Sequence, residues 1–83
     1  MISYLKVTKK QLTYDLDIEI DPLKNPSKLS VIAYIKHKSV AWLTFDVIDK
    51  KVVLDNYTGT LSVDNTLRVI KATEKYINKI AAK

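Results

Sequence analysis

Leu12-Thr13-Tyr14-Asp15-Leu16-Asp17-Ile18-Glu19-Ile20-Asp21 alternates its apolar and acidic side chains with a period of two. Successive side chains of a strand point to opposite faces, so the stretch predicts a strand over 12–20. Tyr14, Leu16, Ile18 and Ile20 then project one way, and Asp15, Asp17, Glu19 and Asp21 the other. That arrangement puts a row of carboxylates on one face of a sheet in a chain whose net charge is +5. The charge is therefore polarised, and polarity is the feature a functional reading has to explain.

Working outward, residues 2–8 predict a short first strand and Lys9-Lys10-Gln11 a turn. Residues 21–27 form the main loop, where Pro22 and Pro26 each disfavour helix in the preceding residue. In the stretch from Leu29 to Lys36, Val31, Ala33 and Ile35 alternate with Ser30, Ile32, Tyr34 and Lys36. A turn is expected near His37-Lys38-Ser39. From Val40 to Ile48, Ala41, Leu43, Phe45 and Val47 alternate with Trp42, Thr44 and Asp46, and Asp49-Lys50-Lys51 connects into a last strand, Val52 to Tyr57. Gly59, the only glycine, falls where the chain needs a positive φ to leave the sheet.

Beyond Gly59 the period changes to 3.6. Ser62 or Asp64 caps a helix over about 62–81, whose apolar stripe is Thr66, Val69, Ile70, Thr73, Tyr76, Ile77 and Ile80. The expected fold is α+β: an antiparallel β-meander of four or five strands within 2–57, with one C-terminal α-helix packed on one face. Eighty-three residues hold one core, so residues 1–83 are read as a single domain. The order of elements resembles that of small single-strand-binding coactivator domains, small archaeal chromatin proteins and several phage-encoded anti-defence proteins. That likeness is one of topology, which does not transmit function.

Composition removes several function classes. There is no cysteine, hence no disulfide framework and no thiolate metal site. No run approaches the ~20 apolar residues of a membrane span, and Met1 to Lys6 lacks the long apolar core of a secretory signal, so a cytoplasmic protein is expected. His37 is the only histidine, on a turn between lysines. No nucleophile elbow, zinc-protease helix or P-loop occurs, and one glycine cannot build a glycine-rich phosphate turn. Neither enzymatic activity nor a cofactor is expected. Carboxylates at i and i+2 of a strand lie about 6.5–7 Å apart. A hard cation needs several oxygens at roughly 2–2.6 Å, so no metal is expected on the acidic row.

One helix covers one face. The better face for it carries Leu16, Ile18, Ile20, Val31, Ala33, Ile35, Leu43, Phe45, Val47, Val52 and Leu54. The other is expected to carry Asp15, Asp17, Glu19, Tyr34, Trp42, Asp46 and Tyr57, with Asp55, Ile32 and Val53 interleaved and Lys36 and Lys38 balancing the acids. This face is too apolar for idle solvent surface and too acidic for a second core. Tyr34, Trp42 and Tyr57 resemble a base-stacking platform, but the acids repel phosphate, which favours a protein contact. The leading expectation is a small non-enzymatic interaction protein that binds a host or partner protein through this face, as an inhibitor encoded by a phage or other mobile element. The Lys, Ile and Asn bias fits an AT-rich genome of that kind.

The alternative expectation is a sequence-tolerant nucleic-acid binder. Arg68, Lys71, Lys75 and Lys79 share one side of the helix, extended by Lys6, Lys9 and Lys10. Of fourteen Lys and Arg residues only Arg68 is an arginine, which argues against base readout and for loose contact with the phosphate backbone. A homodimer across the uncovered sheet is the third expectation.

Overall fold

The alternating segments do form strands, each in the order the sequence presents them. The computed structural model describes residues 7–22 and 27–81. It contains β1 (Val7–Gln11), β2 (Leu16–Pro22), β3 (Lys28–Ile35), β4 (Lys38–Ile48), β5 (Lys51–Gly59) and α1 (Val63–Ala81). The five strands form one antiparallel sheet in the order β1-β2-β3-β4-β5, and α1 packs on it: an α+β meander with a single C-terminal helix. The expected strand residues 2–6, the loop residues 23–26 and the Ile80 side chain lie outside the described residues.

The first hairpin turns later than expected, at 12–15 rather than at Lys9-Lys10-Gln11. Thr13 decides this. Its Oγ1 accepts a hydrogen bond from the Leu16 N–H at 3.2 Å, while the Leu12 N–H donates to the Leu16 carbonyl at 2.9 Å. A threonine that bonds to nearby backbone supplies a turn at the expense of continued strand. Tyr14, expected to point with Leu16, is instead 93% exposed at the tip.

The β3–β4 and β4–β5 hairpins close in two residues each. Ile35 pairs with Lys38 around Lys36 (φ 52°) and His37 (φ 69°), and Ile48 pairs with Lys51 around Asp49 (φ 54°) and Lys50 (φ 65°). Positive φ at both central residues gives the turn whose twist matches that of the flanking strands. Four non-glycine residues hold this left-handed backbone, each against a steric preference. The first of these turns sits one residue earlier than the expected site near His37-Lys38-Ser39.

Three register shifts interrupt the sheet: one between Val7 and Lys10 of β1, and a bulge in each of the two pairings that β4 makes. Ala33 faces Ala41 but Tyr34 faces Ser39, so Val40 is an extra residue of β4. Thr44 faces Asn56 but Phe45 faces Leu54, so Asp55 is an extra residue of β5. The second bulge changes which face β5 presents. Before it, Val52 is in phase with Val47; beyond it, Tyr57 is in phase with Leu43.

The dry face collects Leu16, Ile18, Ile20, Leu29, Val31, Ala33, Ala41, Leu43, Phe45 and Val52, closed over by Val69, Ala72, Thr73 and Ile77 of the helix. Each large side chain fully buried there contributes about 1.5–3 kcal/mol. Ile35 and Val47, expected inside, are half-buried at its margin, and Leu54 is exposed on the last strand. Thr73 is wholly buried but donates its hydroxyl to the Val69 carbonyl at 2.8 Å, so the stripe carries no orphan polar group there.

One polar contact starts the helix and two more fix it to the sheet. Ser62 caps it, its Oγ accepting from the Asn65 N–H at 3.2 Å. The Tyr57 hydroxyl oxygen accepts from the Leu61 N–H at 2.8 Å, holding the connector. Glu74 Oε2 accepts from the Val52 N–H at 3.4 Å, tying the helix to β5. Gly59 (φ 151°) lies against β4, where a Cβ would stand 2.5 Å from both the Ala41 Cα and the Val40 carbonyl oxygen. Only glycine fits there.

Two thermal-unfolding measurements test this account. Gly59→Ala must push backbone against backbone and is expected to cost about 2–3 kcal/mol. Lys50→Gly leaves Asp49 followed by glycine, the pairing this turn prefers, and is expected to add about 1 kcal/mol, a rise of roughly 4–8 °C in Tm.

Candidate functional site

The face away from the helix is built by the alternate residues of the same strands. Its cross-strand rows follow from register. Asp17 faces Tyr34, and Glu19 begins a row that continues through Ile32, Trp42 and Thr58. Asp21, Ser30, Thr44 and Asn56 make the next row, and Lys28, Asp46 and Val53 the last. Of the side chains expected here, Asp17, Glu19, Tyr34, Trp42 and Asp46 therefore share one face. Trp42 is 48% exposed at the middle of β4, with Ile48 and Val53 also exposed toward the β4–β5 turn.

Two expected members are placed elsewhere. Asp15 lies in the bend before β2, at the rim, where its carbonyl accepts from the Lys36 N–H at 3.1 Å. Tyr57 is on the helix side, half-buried against the core. The bulge is the reason. A two-residue turn at Asp49-Lys50 with unbroken register would set Trp42 opposite Tyr57, whereas the extra Asp55 sets it opposite Thr58.

The acids divide into held and free. Lys28 Nζ lies 2.6 Å from Asp46 Oδ1 and 3.8 Å from Asp55 Oδ2, so one ammonium serves two carboxylates. The hydrogen bond to Asp46 raises the Lys28 pKa, against a smaller opposing effect of burial. Glu19 Oε1 accepts the Tyr34 hydroxyl at 2.8 Å, and that bond, helped by burial, raises the Tyr34 pKa. Lys36 and Lys38, expected to balance the row, pair with none of it. Among the described residues Asp15, Asp17 and Asp21 have no ion pair.

Nothing in the sequence marks Lys28 as a member of this face. A turn at Lys36-His37 with unbroken register would set it opposite Phe45; the extra Val40 moves it opposite Asp46. At the hairpin end of the face, Gln11, Tyr14, Asp15, Asp17, Lys36 and His37 line an open hollow of about 370 Å³. On the helix side a second, apolar hollow of about 300 Å³ lies among Leu54, Tyr57, Leu61, Val63, Thr66 and Leu67. Among the described residues no three His, Cys, Asp or Glu side chains converge on a point that could hold a metal ion.

Across the molecule Arg68, Lys71, Lys75 and Lys79 are all exposed, and none has an ion pair among the described residues. At 100° per residue they span about 80° of the helix circumference. Lys6 and the side chains of Lys9 and Lys10 lie outside the described residues. No described helix is long and apolar enough to cross a membrane.

The Tyr34–Glu19 bond has a pH signature. A phenol whose folded pKa is raised stabilises the fold below the ordinary tyrosine value, and that contribution is lost as pH climbs through the raised one. Glu19→Gln is expected to bring Tyr34 ionisation back toward the ordinary value, read from its ring resonances in an alkaline NMR titration. An unchanged midpoint would assign the shift to burial instead.

Comparison of the chain with protein-family models, with curated proteins and with solved structures yields no match in any of the three.

Proposed function

We propose that this protein is a non-enzymatic interaction module whose open sheet face docks on a basic protein surface. The observation that carries the reading is the uncovered face itself. Carboxylates on β2 that have no ion pair among the described residues share this face with a tryptophan on β4, two strands away, and the described helix is committed to the other side. A tryptophan fixed on a sheet offers a large anchoring area at little entropic cost. Neighbouring Asp17 and Asp21 select a cationic partner and steer its approach. Lys28 leaves that selectivity intact, because it neutralises only the far end of the face.

Nucleic acid is the second reading, favoured by the four exposed cations on one arc of the helix. Four phosphate contacts give a salt slope of about −3.6 on duplex DNA, a weak grip at physiological ionic strength. The acidic face would play no part in it.

Trp42 is the only tryptophan and so reports directly on the face. Titration with a lysine-rich amphipathic peptide is expected to shift its emission to the blue. Asp17→Lys, which keeps the reporter, should weaken that binding about tenfold or more. Exchanging Trp42 for Ala together with Asp17→Lys should abolish capture of the peptide while circular dichroism stays unchanged. Equal affinity of wild type and Asp17→Lys would sink the reading. A salt-sensitive oligonucleotide gel shift lost in Lys71→Glu/Lys75→Glu would favour the second.

A further inference from the structure

The acidic row and the basic stripe belong to one molecule, lie on opposite sides of it, and have nearly the same spacing. Asp15, Asp17, Glu19 and Asp21 follow one another along β2 and its leading bend at two-residue intervals, about 6.5–7 Å each. Lys71, Lys75 and Lys79 follow one another at four-residue intervals, about 6 Å each at the rise of an α-helix. The mismatch is below about 1 Å per step. Flexible lysine side chains absorb that over the two steps of the stripe.

We propose that the basic helix stripe of one copy of this chain docks along the acidic row of the next, so that the protein associates head to tail. This rests on the proposed role of the acidic face and names the partner that face takes: a second copy.

Charge complementarity supports the pairing. Six of the nine acidic residues (Asp15, Asp17, Glu19, Asp21, Asp46 and Asp55) lie on the open face or at its rim. Four exposed cations lie on the helix arc. Asp46 and Asp55 are occupied by Lys28, which leaves the β2 end of the face as the negative strip. On the helix, Glu74 turns toward β5, where it holds the Val52 N–H, and so leaves Lys71 and Lys75 undiluted. Apolar side chains flank both strips: Leu67 is 49% exposed beside the stripe, and Trp42 stands two strands from the row. The contact joins two different surfaces, so each end copy keeps one surface free and the assembly stays open rather than closing as a symmetric dimer. The Debye length falls from ~30 Å at 0.01 M salt to ~8 Å at 0.15 M, so the association should be strongest at low ionic strength.

The test is sedimentation velocity of the whole chain at low and high salt. Wild type is expected to show a concentration-dependent rise in sedimentation coefficient at about 20 mM salt that is lost near 300 mM. Lys71→Glu/Lys75→Glu alone and Asp17→Lys/Asp21→Lys alone should each weaken association about tenfold or more. An equimolar mixture of the two should recover it, because each variant then offers the charge the other needs. Neutral variants, Lys71→Gln/Lys75→Gln and Asp17→Asn/Asp21→Asn, repeat the loss with less disturbance to the fold, which circular dichroism checks. A wild type that stays monomeric at low salt, or a mixture that fails to recover, overturns the inference. Asp17-dependent binding of the lysine-rich peptide would survive that failure and keep the broader reading separate.

Discussion

A five-stranded sheet with one helix to cover it has one dry face and one wet face, and every strand must keep the same parity to respect that division. The burial of Leu16, Ile18 and Ile20 on β2, each at 2% exposure or less, sets the parity for the whole layer. Register then carries it to Val31 and Ala33, and on to Ala41 and Leu43. A slip of one residue in any pair would exchange the faces of a strand, exposing isoleucines and burying carboxylates. The extra residues Val40 and Asp55 are corrections within this scheme. Each lets the chain change phase once without transferring the error to the next strand.

The electrostatic pattern follows from the same division. Carboxylates cannot enter the dry layer without partners, so those of β2 are confined to the wet one. The helix needs a solvated side, and lysines and one arginine supply it. A chain with a modest net positive charge thus acquires two poles, and among the described residues no ion pair is buried. The pairing of Lys28 with two aspartates limits the negative pole to the β2 side. Asp64 in the first turn and Lys79 in the last complement the helix dipole along its own axis.

Most of the fold is legible in the sequence, because alternation and the 3.6-residue period are strong signals. The meander, the C-terminal helix, a cap at Ser62 or Asp64 and the need for Gly59 all follow from residues read in place. What the sequence conceals is phase. Neither two-residue turn carries the Asn-Gly or Asp-Gly pair that announces it; Lys36-His37 and Asp49-Lys50 adopt the conformation without that signature. Nothing in Val40 or Asp55 marks a bulge. The errors on the site stem from this. Tyr57 leaves the acidic face and Lys28 joins it, and with Leu54 the displaced tyrosine opens an apolar hollow beside the helix. Thr13 was the one local clue to the late first turn, through a hydroxyl able to mimic a turn bond.

Glu74 has a consequence for the protein's behaviour at high concentration. A strand at the border of a sheet offers its unpaired amides to any extended segment that arrives, which is how lateral fusion and fibril growth begin. At Val52 the incoming chain would meet a carboxylate already seated on the amide, and further along it would meet the kink at Asp55. Both obstacles come from the protein's own side chains and backbone, and both are in place in the isolated chain. The β5 border is in this way guarded against strand addition at Val52 and Asp55.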